Sequence, residues 1–543
     1  MFIVAWAPLG ADGIIIRVEA DIRRGIPGID ITGLADGAVR EARERVRASF
    51  RNSGLEFPHD RILINLSPAG FRKEGASLDL PIAVSVMAAA GMVPVPYNLM
   101  VLGELELSGR VRPVRGVMAA VTSGLKEGIC NFIVPLENSH EAAALPNIRF
   151  FAAATLGEVV HALLIMAETG GLPENGAALL LNNYAASTEN PPGNGYTGDF
   201  SEVRFQSRYK RALEIAAAGG HNLLVFGPPG SGKTMLARRF PSILHPLNDS
   251  EAVEVSRLHS LAGQMRNIGS FGNLAEIKNE SSPLIRQPPF RSPHHSASTE
   301  GVLGGGRIVR PGEITLAHFG VLFLDEAPEF RAPVLQALRE PLEDHLITIV
   351  RAEGPLKLPA DFQLILAANG CPCGRLGANP LESDFGDMGS GCFCAPDEIH
   401  RYWKKLGSAL LDRIDLRVPL NSPGVLANAS EGEESSDTIR KRVEAAIEIQ
   451  TERFKDSGVR RNARMHPAQI EKFCHLSRKP MESFHIASAK LSLSGRACHG
   501  ILKVSRTIAD LEQSDSITTV HVLEAIQHRR YGDDPYDIIT AKL

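Results

Sequence analysis

One segment restricts the fold of this chain more than any other. Residues 221–234 read HNLLVFGPPGSGKT, an apolar run with strand character followed by a glycine-rich turn, and the next residues, MLARRF, have helix character. A phosphate-binding loop needs this strand–loop–helix context, because its backbone N–H groups must turn inward around phosphates. We therefore predict an ATP site in an α/β domain, with a loop formed by Gly227, Pro228, Pro229, Gly230, Ser231, Gly232, Lys233 and Thr234.

Two residues of this loop have separate chemical roles. Lys233 is expected to contact the β- and γ-phosphate oxygens, and the Thr234 hydroxyl is expected to ligate Mg²⁺. The alternative is a chance glycine-rich turn. The complete GxxxxGKT pattern between a strand and a helix disfavours that alternative.

A second apolar run supplies acidic residues. Residues 320–324, GVLFL, are followed by Asp325 and Glu326. A buried parallel strand would deliver both carboxylates to the carboxyl edge of a sheet, where Asp325 would hold Mg²⁺ through water and Glu326 would act as the catalytic base. Such a pair alone more often caps a helix, but its place some ninety residues after the loop favours the catalytic interpretation.

The charge of the whole chain does not indicate a nucleic-acid or membrane partner. The 58 Lys plus Arg oppose 62 Asp plus Glu, a formal net charge of -4, so any DNA affinity must be local. The N-terminus lacks a basic region before its apolar residues, and proline and glycine interrupt the longest uncharged stretch, residues 80–103. We expect a cytoplasmic protein with no membrane association.

Composition shifts divide the chain of 543 residues into three domains. Segments rich in Pro, Gly, Ser and Asn, or small and acidic, predict linkers. The predicted units are an α/β domain at 1–168, a linker at 169–199, an ATPase domain at 200–420, a linker at 421–437 and a helical domain at 438–543.

Four cysteines form two C-x-C pairs in a polar, glycine-rich segment. Four thiolates can complete a closed tetrahedral Zn²⁺ shell, which would staple the loop and leave no open position for catalysis. Free thiols or a reversible disulfide are the alternatives. The candidate zinc ligands are Cys371, Cys373, Cys392 and Cys394.

Five further segments resemble the ComM (YifB) family of magnesium-chelatase-like AAA+ ATPases, over nearly the whole chain. The resemblance implies an AAA+ P-loop core with a helical lid, working as a homo-hexameric ring with ATP sites between subunits. The segments are GLADGAVREARERVRASFRNSG at 33–54, LINLSPAGFRKEGASLDLPIA at 63–83, LARRFPSIL at 236–244, FRSPHHSASTEGVLGGG at 290–306 and LLDRIDLRVPL at 410–420.

The resemblance also implies roles for residues around the nucleotide. Asn369, after the apolar run LILAA, would be the sensor that hydrogen-bonds the attacking water or the γ-phosphate. Arg413 would be the arginine finger that reaches a neighbouring subunit's ATP, where a cation stabilises the developing charge. A surface salt bridge with Asp412 or Asp415 is the alternative for Arg413.

A lid arginine and two pore elements complete the implied machinery. Arg496 would be the sensor arginine of the lid, and Arg506, one helical face away, is the alternative. Residues 347–359, ITIVRAEGPLKLP, alternate in polarity around EGP and predict a β-hairpin, which in this AAA+ group faces the pore. Residues 261–284 occupy the place of the family's insertion and would also point toward the pore.

The hairpin carries two candidate DNA contacts. Arg351 and Lys357 would touch the phosphate backbone of DNA in the pore, and two solvated hairpin charges are the alternative.

The N-terminal region resembles the Lon-protease-like domain. KEGASLDLPIA places Ser77 at the position of the Lon nucleophile, and RPVRGVMAAV, residues 112–121, matches the segment with the Lon catalytic lysine. Ala120 stands at the lysine position, and Lys126 is too displaced to replace it. A serine without its base is a weak nucleophile, so we predict the protease fold without protease activity.

Residues 38–52 predict an amphipathic helix with an arginine-rich face. That face is either a surface that contacts phosphates or a solvated surface with local pairs to Glu41 and Glu44. The apolar positions are Val39, Ala42, Val46 and Phe50, and the basic positions are Arg40, Arg43, Arg47 and Arg51.

These features lead to one main functional hypothesis. The resemblance implies an ATP-driven hexameric motor that moves single-stranded or branched DNA and promotes helicase-type branch migration in homologous recombination, as in natural transformation, together with recombination proteins. The alternative is an AAA+ ATPase subunit of a chelatase-type or protein-remodelling complex. ATP-dependent proteolysis is disfavoured by Ala120.

Overall fold

The protein has three folded parts. The computed structural model describes residues 2–34, 36–71, 73, 75–94, 98–173, 198–265, 284–306, 309–351, 354–376, 392–420 and 433–530. They form an N-terminal α/β domain, a central domain with a parallel sheet and a C-terminal group of helices, which confirms the predicted fold class. Most of both predicted linkers, and most of the insertion at 261–284, lie outside the described residues. Within the described ranges, no helix has the length and apolar character needed to cross a membrane.

The N-terminal domain is built on a mixed seven-stranded sheet. Its strand order is β3-β4-β2-β1-β5-β8-β9, with β1–β2 and β2–β4 antiparallel and the other pairs parallel. The strands are β1 Phe2–Ala7, β2 Ile14–Arg23, β3 Gly28–Thr32, β4 Arg61–Ser67, β5 Leu99–Val101, β8 Asn131–Pro135 and β9 Arg149–Ala153, while β6 Glu104–Leu105 and β7 Val111–Arg112 pair separately. The helices are α1 Gly37–Asn52, α2 Asp79–Ala89, α3 Val117–Lys126, α4 Ser139–Ala143 and α5 Leu156–Thr169.

Helix α1 matches the predicted amphipathic helix. Its four predicted apolar side chains are fully buried, and its outer arginines include Arg47, which lies over the Phe57 ring. One pair was not predicted: Arg45 Nε donates to Asp79 Oδ2 at 2.6 Å, and its Nη2 donates to Oδ1 at 3.0 Å. Asp79 is fully buried, so Arg45 compensates a charge that has left water. This pair ties α1 to the start of α2.

The central domain has a five-stranded, entirely parallel sheet, as expected of a P-loop core. Its order is β11-β14-β17-β10-β18, and the strands are β10 Leu223–Phe226, β11 Phe290–Arg291, β14 Val321–Leu324, β17 Gln363–Ala368 and β18 Leu416–Pro419. Short antiparallel pairs lie outside it: β12 Gly304–Gly305 with β13 Arg310–Pro311, and β15 Leu346–Arg351 with β16 Gly354–Pro359. The helices are α6 Ser207–Gly219, α7 Lys233–Arg239, α8 Asp249–Ala262, α9 Thr299–Leu303, α10 Glu313–Leu316, α11 Ala332–Ala337, α12 Pro341–Asp344, α13 Pro396–Lys404 and α14 Ser408–Leu411.

The C-terminal helices pack directly on the central domain. The imidazole of His221, which is fully buried, lies 2.9 Å from Asp415 Oδ2 and 2.8 Å from Thr507 Oγ1, so one side chain bridges the two parts. The first of these helices begins at Ser436, inside the predicted linker. The helices are α15 Ser436–Phe454, α16 Pro467–Phe473, α17 Arg478–Lys490, α18 Gly495–Leu511 and α19 Thr519–Arg529.

The N-terminal domain contacts helix α8 of the central domain. The Gly116 N–H donates to the Ser260 carbonyl at 3.0 Å, and the Ser260 hydroxyl donates to the buried carboxylate of Glu141. Arg257 pairs with Asp12 at 2.5 Å. Buried apolar side chains of both domains belong to one continuous cluster, so this is a packed interface.

Candidate functional site: the nucleotide-binding edge of the parallel sheet

The phosphate-binding loop connects β10 to α7. Its Gly230 and Gly232 have φ values of 77° and 86°, in the left-handed region that glycine adopts without strain. Gly227 has no room for a side chain, because a Cβ there would lie 2.5 Å from the Leu420 carbonyl oxygen. The loop therefore needs glycine at all three positions for steric reasons.

Lys233 lies within the curve of this loop. Its Nζ donates to the carbonyl oxygens of Gly227 at 2.8 Å and Pro228 at 2.9 Å, and to Asn369 Oδ1 at 3.2 Å. Burial lowers the pKa of Lys233, and the nearby carboxylates of Asp325 and Glu326 oppose that shift. All three hydrogen-bond acceptors are neutral, so phosphate oxygens would form stronger, charge-assisted bonds with this amine.

The two predicted Mg²⁺ ligands are adjacent. Thr234 Oγ1 donates a hydrogen bond of 2.7 Å to Asp325 Oδ2, which joins the start of α7 to the end of β14. A hydroxyl and a carboxylate are hard oxygen ligands of the kind Mg²⁺ prefers. The chemistry of this pair fits the predicted ion, which would neutralise phosphate charge when bound.

Glu326 follows Asp325 in an unusual backbone conformation. Its φ is +51°, in the left-handed region that is uncommon for a residue with a side chain. Glu326 Oε2 lies 3.5 Å from His295 Nδ1, an ion pair when the imidazole is protonated. The sequence interpretation missed His295, although the motif HHS at 294–296 was visible. Glu326 thus combines a strained backbone with a carboxylate beside a histidine. A carboxylate in such a position is suited to orienting a water molecule.

Asn369 completes the cluster from the end of β17. Its side-chain oxygen accepts from Lys233, and its backbone N–H donates to the Tyr402 hydroxyl at 3.3 Å. The loop, Asp325 and Asn369 leave three neighbouring strands at the same edge of the sheet. The predicted sensor is thus in hydrogen-bond contact with the predicted phosphate-binding lysine.

The four predicted zinc ligands converge. The sulfur atoms of Cys371, Cys373, Cys392 and Cys394 all lie within 4.8 Å of one another, and the closest pairs are 3.3 to 3.7 Å apart. A tetrahedral site with Zn–S bonds of about 2.3 Å places its sulfurs about 3.8 Å apart. Burial raises the pKa of Cys373, but the Arg375 N–H and the neighbouring thiols outweigh burial and lower it to about 6. A disulfide would join only two of these sulfurs, whereas a metal accounts for the convergence of all four.

The cysteine loop packs against the phosphate-binding loop. Cys371 is buried and follows Asn369 by two residues. A Cβ on Gly374 would approach Pro229 Cγ to 3.0 Å, so the two loops are in close contact. Trp403 Nε1 donates to the Gly370 carbonyl at 3.0 Å and fixes the segment between them. A metal held by these thiols would stabilise one wall of the nucleotide site.

The two predicted arginines share one carboxylate. Nη2 of Arg413 and Nη2 of Arg496 each donate to a different oxygen of Glu343. Arg413 Nη1 also donates to the Ala409 carbonyl at 2.6 Å. The sequence interpretation missed Glu343, because nothing in its local pattern distinguishes it from an ordinary surface acid.

The structure also shows the alternatives that the sequence left open: the salt-bridge partners of Arg413, and Arg506 as the lid arginine. Arg413 does form a salt bridge, but not with either predicted partner: Asp412 pairs with Arg529 at 3.2 Å, and Asp415 pairs with His221. Arg506 is buried and donates to Asp510 within the same helix at 3.0 Å. The half-exposed Arg496 is therefore the more accessible of the two lid candidates.

The predicted hairpin is present as β15 and β16. Its turn falls one residue earlier than expected, since Gly354 already pairs with Arg351 and Pro355 pairs with Val350. Lys357 lies opposite Thr348, and an Arg351 guanidinium nitrogen donates to the Gly306 carbonyl. Val350 is 80% exposed, so the hairpin end presents an apolar side chain as well as charge.

The N-terminal candidate residues lie apart from this site. Ser77 is half-buried just before α2, and Ala120 is fully buried on α3. Lys73 lies close to Ser77 in the chain, but its Nζ donates to the carbonyl oxygens of Gly33, at 2.7 Å, and Pro68. Burial lowers the pKa of Lys73. Ala120 itself has no amine to act as a base.

Comparisons with known families cover the central, N-terminal and C-terminal parts. Residues 199–425 match the family described as "Magnesium chelatase, subunit ChlI". Residues 18–138 match "Subunit ChlI of Mg-chelatase", and residues 433–529 match "Magnesium chelatase, subunit ChlI C-terminal".

Full-length relatives agree with these matches. The chain is 40% identical over 529 residues to the YifB protein of Salmonella typhimurium, covering 96% of each chain. It is 38% identical over 527 residues to competence protein ComM of Haemophilus influenzae, again covering 96% of each. A Lon protease of Geobacter metallireducens is 25% identical over 151 residues, which are 26% of this chain and 18% of that protease.

The first prediction concerns the nucleotide site. Lys233→Ala should abolish ATP binding, because it removes the buried amine from the loop. Glu326→Gln should keep ATP bound and lower turnover at least a hundredfold, since the amide cannot act as a base. Equilibrium binding of a fluorescent ATP analogue and phosphate release would measure both, with the exposed Lys479→Ala as control. Normal turnover in either site variant would refute this assignment.

The second prediction concerns the metal. Anaerobically purified protein should contain one zinc ion per chain, and the double variant Cys371→Ser/Cys373→Ser should lose it. Because the cysteine loop packs on Pro229, the double variant should also bind ATP more weakly. Elemental analysis and ATP titration would test this, with Cys130→Ser, an exposed cysteine outside the cluster, as control. Metal-free wild-type protein would remove the claim.

Proposed function

Because the chain belongs to the YifB/ComM family of magnesium-chelatase-like AAA+ ATPases, we propose that it is an ATP-driven hexameric motor that moves DNA and promotes branch migration. The observation that carries the ATPase part is the convergence of Lys233, Thr234, Asp325, Glu326 and Asn369 at one sheet edge. A relative named as a competence protein supports a role in the uptake or integration of DNA.

The side chains divide the hydrolysis reaction among them. Lys233 and the loop N–H groups would hold the phosphates, and Thr234 and Asp325 would hold Mg²⁺, which supplies charge neutralisation. Glu326 would accept a proton from the attacking water, and Asn369 would orient that water or the γ-phosphate. The reaction is mainly one of positioning, so small movements of these groups would switch it on or off.

Arg413 would act on the nucleotide of a neighbouring subunit. In the described chain its guanidinium contacts Glu343 and the Ala409 carbonyl rather than any residue of the phosphate-binding loop. A finger supplied by a neighbour makes hydrolysis depend on ring assembly. Arg496 would contact the nucleotide from the lid, and both arginines would first have to leave Glu343.

The hairpin β15–β16 would contact DNA in the pore. Lys357 supplies a charge for the phosphate backbone, Arg351 supplies a second, and the exposed Val350 can pack against sugars or bases. The motor would act on single-stranded or branched DNA during homologous recombination, in contact with recombination proteins.

A second candidate function is an ATPase subunit of a chelatase-type or protein-remodelling complex. It is favoured by the family descriptions, which name a magnesium chelatase subunit over all three parts of the chain. The nucleotide site would work in the same way in either role. The two functions differ in what stimulates ATP turnover.

The third prediction separates these functions. ATP turnover should rise several-fold with single-stranded, forked or four-way DNA, and strand displacement should require ATP, because hairpin contacts to DNA would be coupled to hydrolysis. Lys233→Ala is the control that lacks turnover. A Lys357→Ala variant should keep basal turnover and lose the stimulation. Turnover that ignores every DNA would favour the chelatase-type or remodelling role.

The fourth prediction tests the finger in trans. Arg413→Ala and Glu326→Gln proteins should each be inactive alone, since each lacks one half of a composite site. Mixed in equal amounts, they should regain part of the wild-type turnover, because some interfaces combine an intact finger with an intact base. Turnover that stays at the level of the separate variants at every mixing ratio would argue against a finger.

A further inference from the structure

A second polar cleft lies at the opposite edge of the parallel sheet from the nucleotide site. It is formed where β14 and β17 begin, at Gly320 and Gln363, and by the chain before β10. The other wall comes from the C-terminal helices, through the segment 460–464. The cleft is open to solvent on one side and has a volume of about 100 Å³, room for a small anion.

Three arginines and two carboxylates line this cleft, which leaves one positive charge in excess. Arg460 pairs with Glu251, and Arg464 pairs with Asp361 at 2.5 Å. Among the residues the structure describes, Arg461 has no ion pair within 4 Å. Its guanidinium donates a hydrogen bond from Nη1 to the Arg460 carbonyl oxygen, at 2.9 Å. Arg461 is thus the lining arginine that has no direct carboxylate contact among the described residues, while Glu251 and Asp361 act on it from farther away.

The surroundings of Arg461 disfavour its charge when no ligand is bound. Burial, followed by the nearby Arg460, lowers the pKa of Arg461 to about 10. Burial and Arg461 lower the pKa of His245 on the same cleft, although Glu444, whose Oε1 lies 3.9 Å from its Nδ1, and two further carboxylates, Glu251 and Glu448, oppose that shift. The imidazole is therefore neutral and can donate one hydrogen bond. Gly220 leaves room for the arginine, since a Cβ there would lie 3.3 Å from Arg461 Cβ.

Two phenylalanine rings line the cleft: Phe362 is buried, at 2% exposure, and Phe319 is covered by its neighbours. Arg460 lies 3.9 Å from the centroid of the Phe319 ring, and His318 lies 3.8 Å from it. A base would therefore find no free aromatic face there, so recognition would depend on charge and hydrogen bonds. Arginine and neutral histidine side chains suit a phosphate group.

We infer that this cleft binds a small phosphate-bearing anion, either inorganic phosphate or the phosphate of a phosphomonoester, with Arg461 as its main contact. The anion joins the central domain to the C-terminal helices, because the cleft has one wall from each. It also lies at the far ends of β10, β14 and β17, whose carboxyl ends hold the nucleotide site. Binding there stabilises the arrangement of the two parts and does not depend on the DNA proposal.

The test uses full-length protein whose nucleotide site is filled with ADP and Mg²⁺, so that added anion reports on the second cleft. Inorganic phosphate, and separately AMP, are titrated at constant ionic strength while the melting temperature and heat of binding are measured. Wild-type protein should show saturable binding. Arg461→Gln should weaken it about tenfold or more, and the exposed Arg478→Gln should not.

The outcomes separate the sources of the phosphate. Equal affinities for phosphate and AMP identify the phosphate group alone as the ligand, and tighter binding of AMP identifies a phosphomonoester. Absence of saturable binding, or equal binding by Arg461→Gln and wild type, overturns the inference. Should Arg461→Gln fail to fold, tungstate soaked into wild-type crystals gives the answer. Its anomalous signal is expected between Arg461 and His245, and tungstate bound only elsewhere overturns the site.

Discussion

Parallel pairing of β10, β14 and β17 is the constraint on which the functional site depends. Phe226 pairs with Ala368, so the residues that follow, Gly227 and Asn369, leave the sheet side by side. Leu324 pairs with Leu366, so β14 ends two residues before β17 does, and Asp325 emerges beside the last residues of that central strand. This register explains why Lys233 reaches Asn369 and why the Thr234 hydroxyl reaches Asp325. A shift of one residue in either pairing would separate these groups and exchange the side chains of the sheet's two buried faces.

The sequence was sufficient to predict those parts of the site whose residues are close together in the chain. The loop, the DE pair, the paired cysteines and the hairpin each carry their chemistry within a few residues, so their types and spacing were sufficient. The pairs that were missed join distant segments: His295 with Glu326, and Asp79 with Arg45 across two helices. No local period marks such contacts, because tertiary packing decides them. The observed hairpin differs from the predicted one for a similar reason. Gly354 was expected in the turn, but it pairs with Arg351 and belongs to the second strand.

The carboxylate of Glu343 links two arginines that are distant in the sequence. Arg413 belongs to the central domain and Arg496 to the C-terminal helices, yet each holds one oxygen of the same side chain. Arg413, followed by Arg496, lowers the pKa of Glu343 against the opposing effect of burial, so the carboxylate is ionised near neutral pH. The pairs are partly exposed, so each contributes about 1 kcal/mol or less. In the proposed motor, contacts of this strength would be exchanged for contacts with a triphosphate. Helix α12, which carries Glu343, leads directly into the hairpin strand β15.

The contacts of the N-terminal domain with the central domain suggest a structural role for it rather than a catalytic one. Ala120 lies in the apolar cluster shared with the central domain, where the ammonium group of a lysine would be removed from water. The domain contacts α8 through the Gly116–Ser260 hydrogen bond, and α8 leads into the predicted insertion. A Cβ on Gly10 would lie 3.7 Å from Leu356 of the hairpin. The domain therefore touches the start of one proposed pore element and the side of the other. Packing of this kind transmits small movements, because close-packed interfaces yield little. In the proposed motor, the N-terminal domain would support the elements that contact DNA.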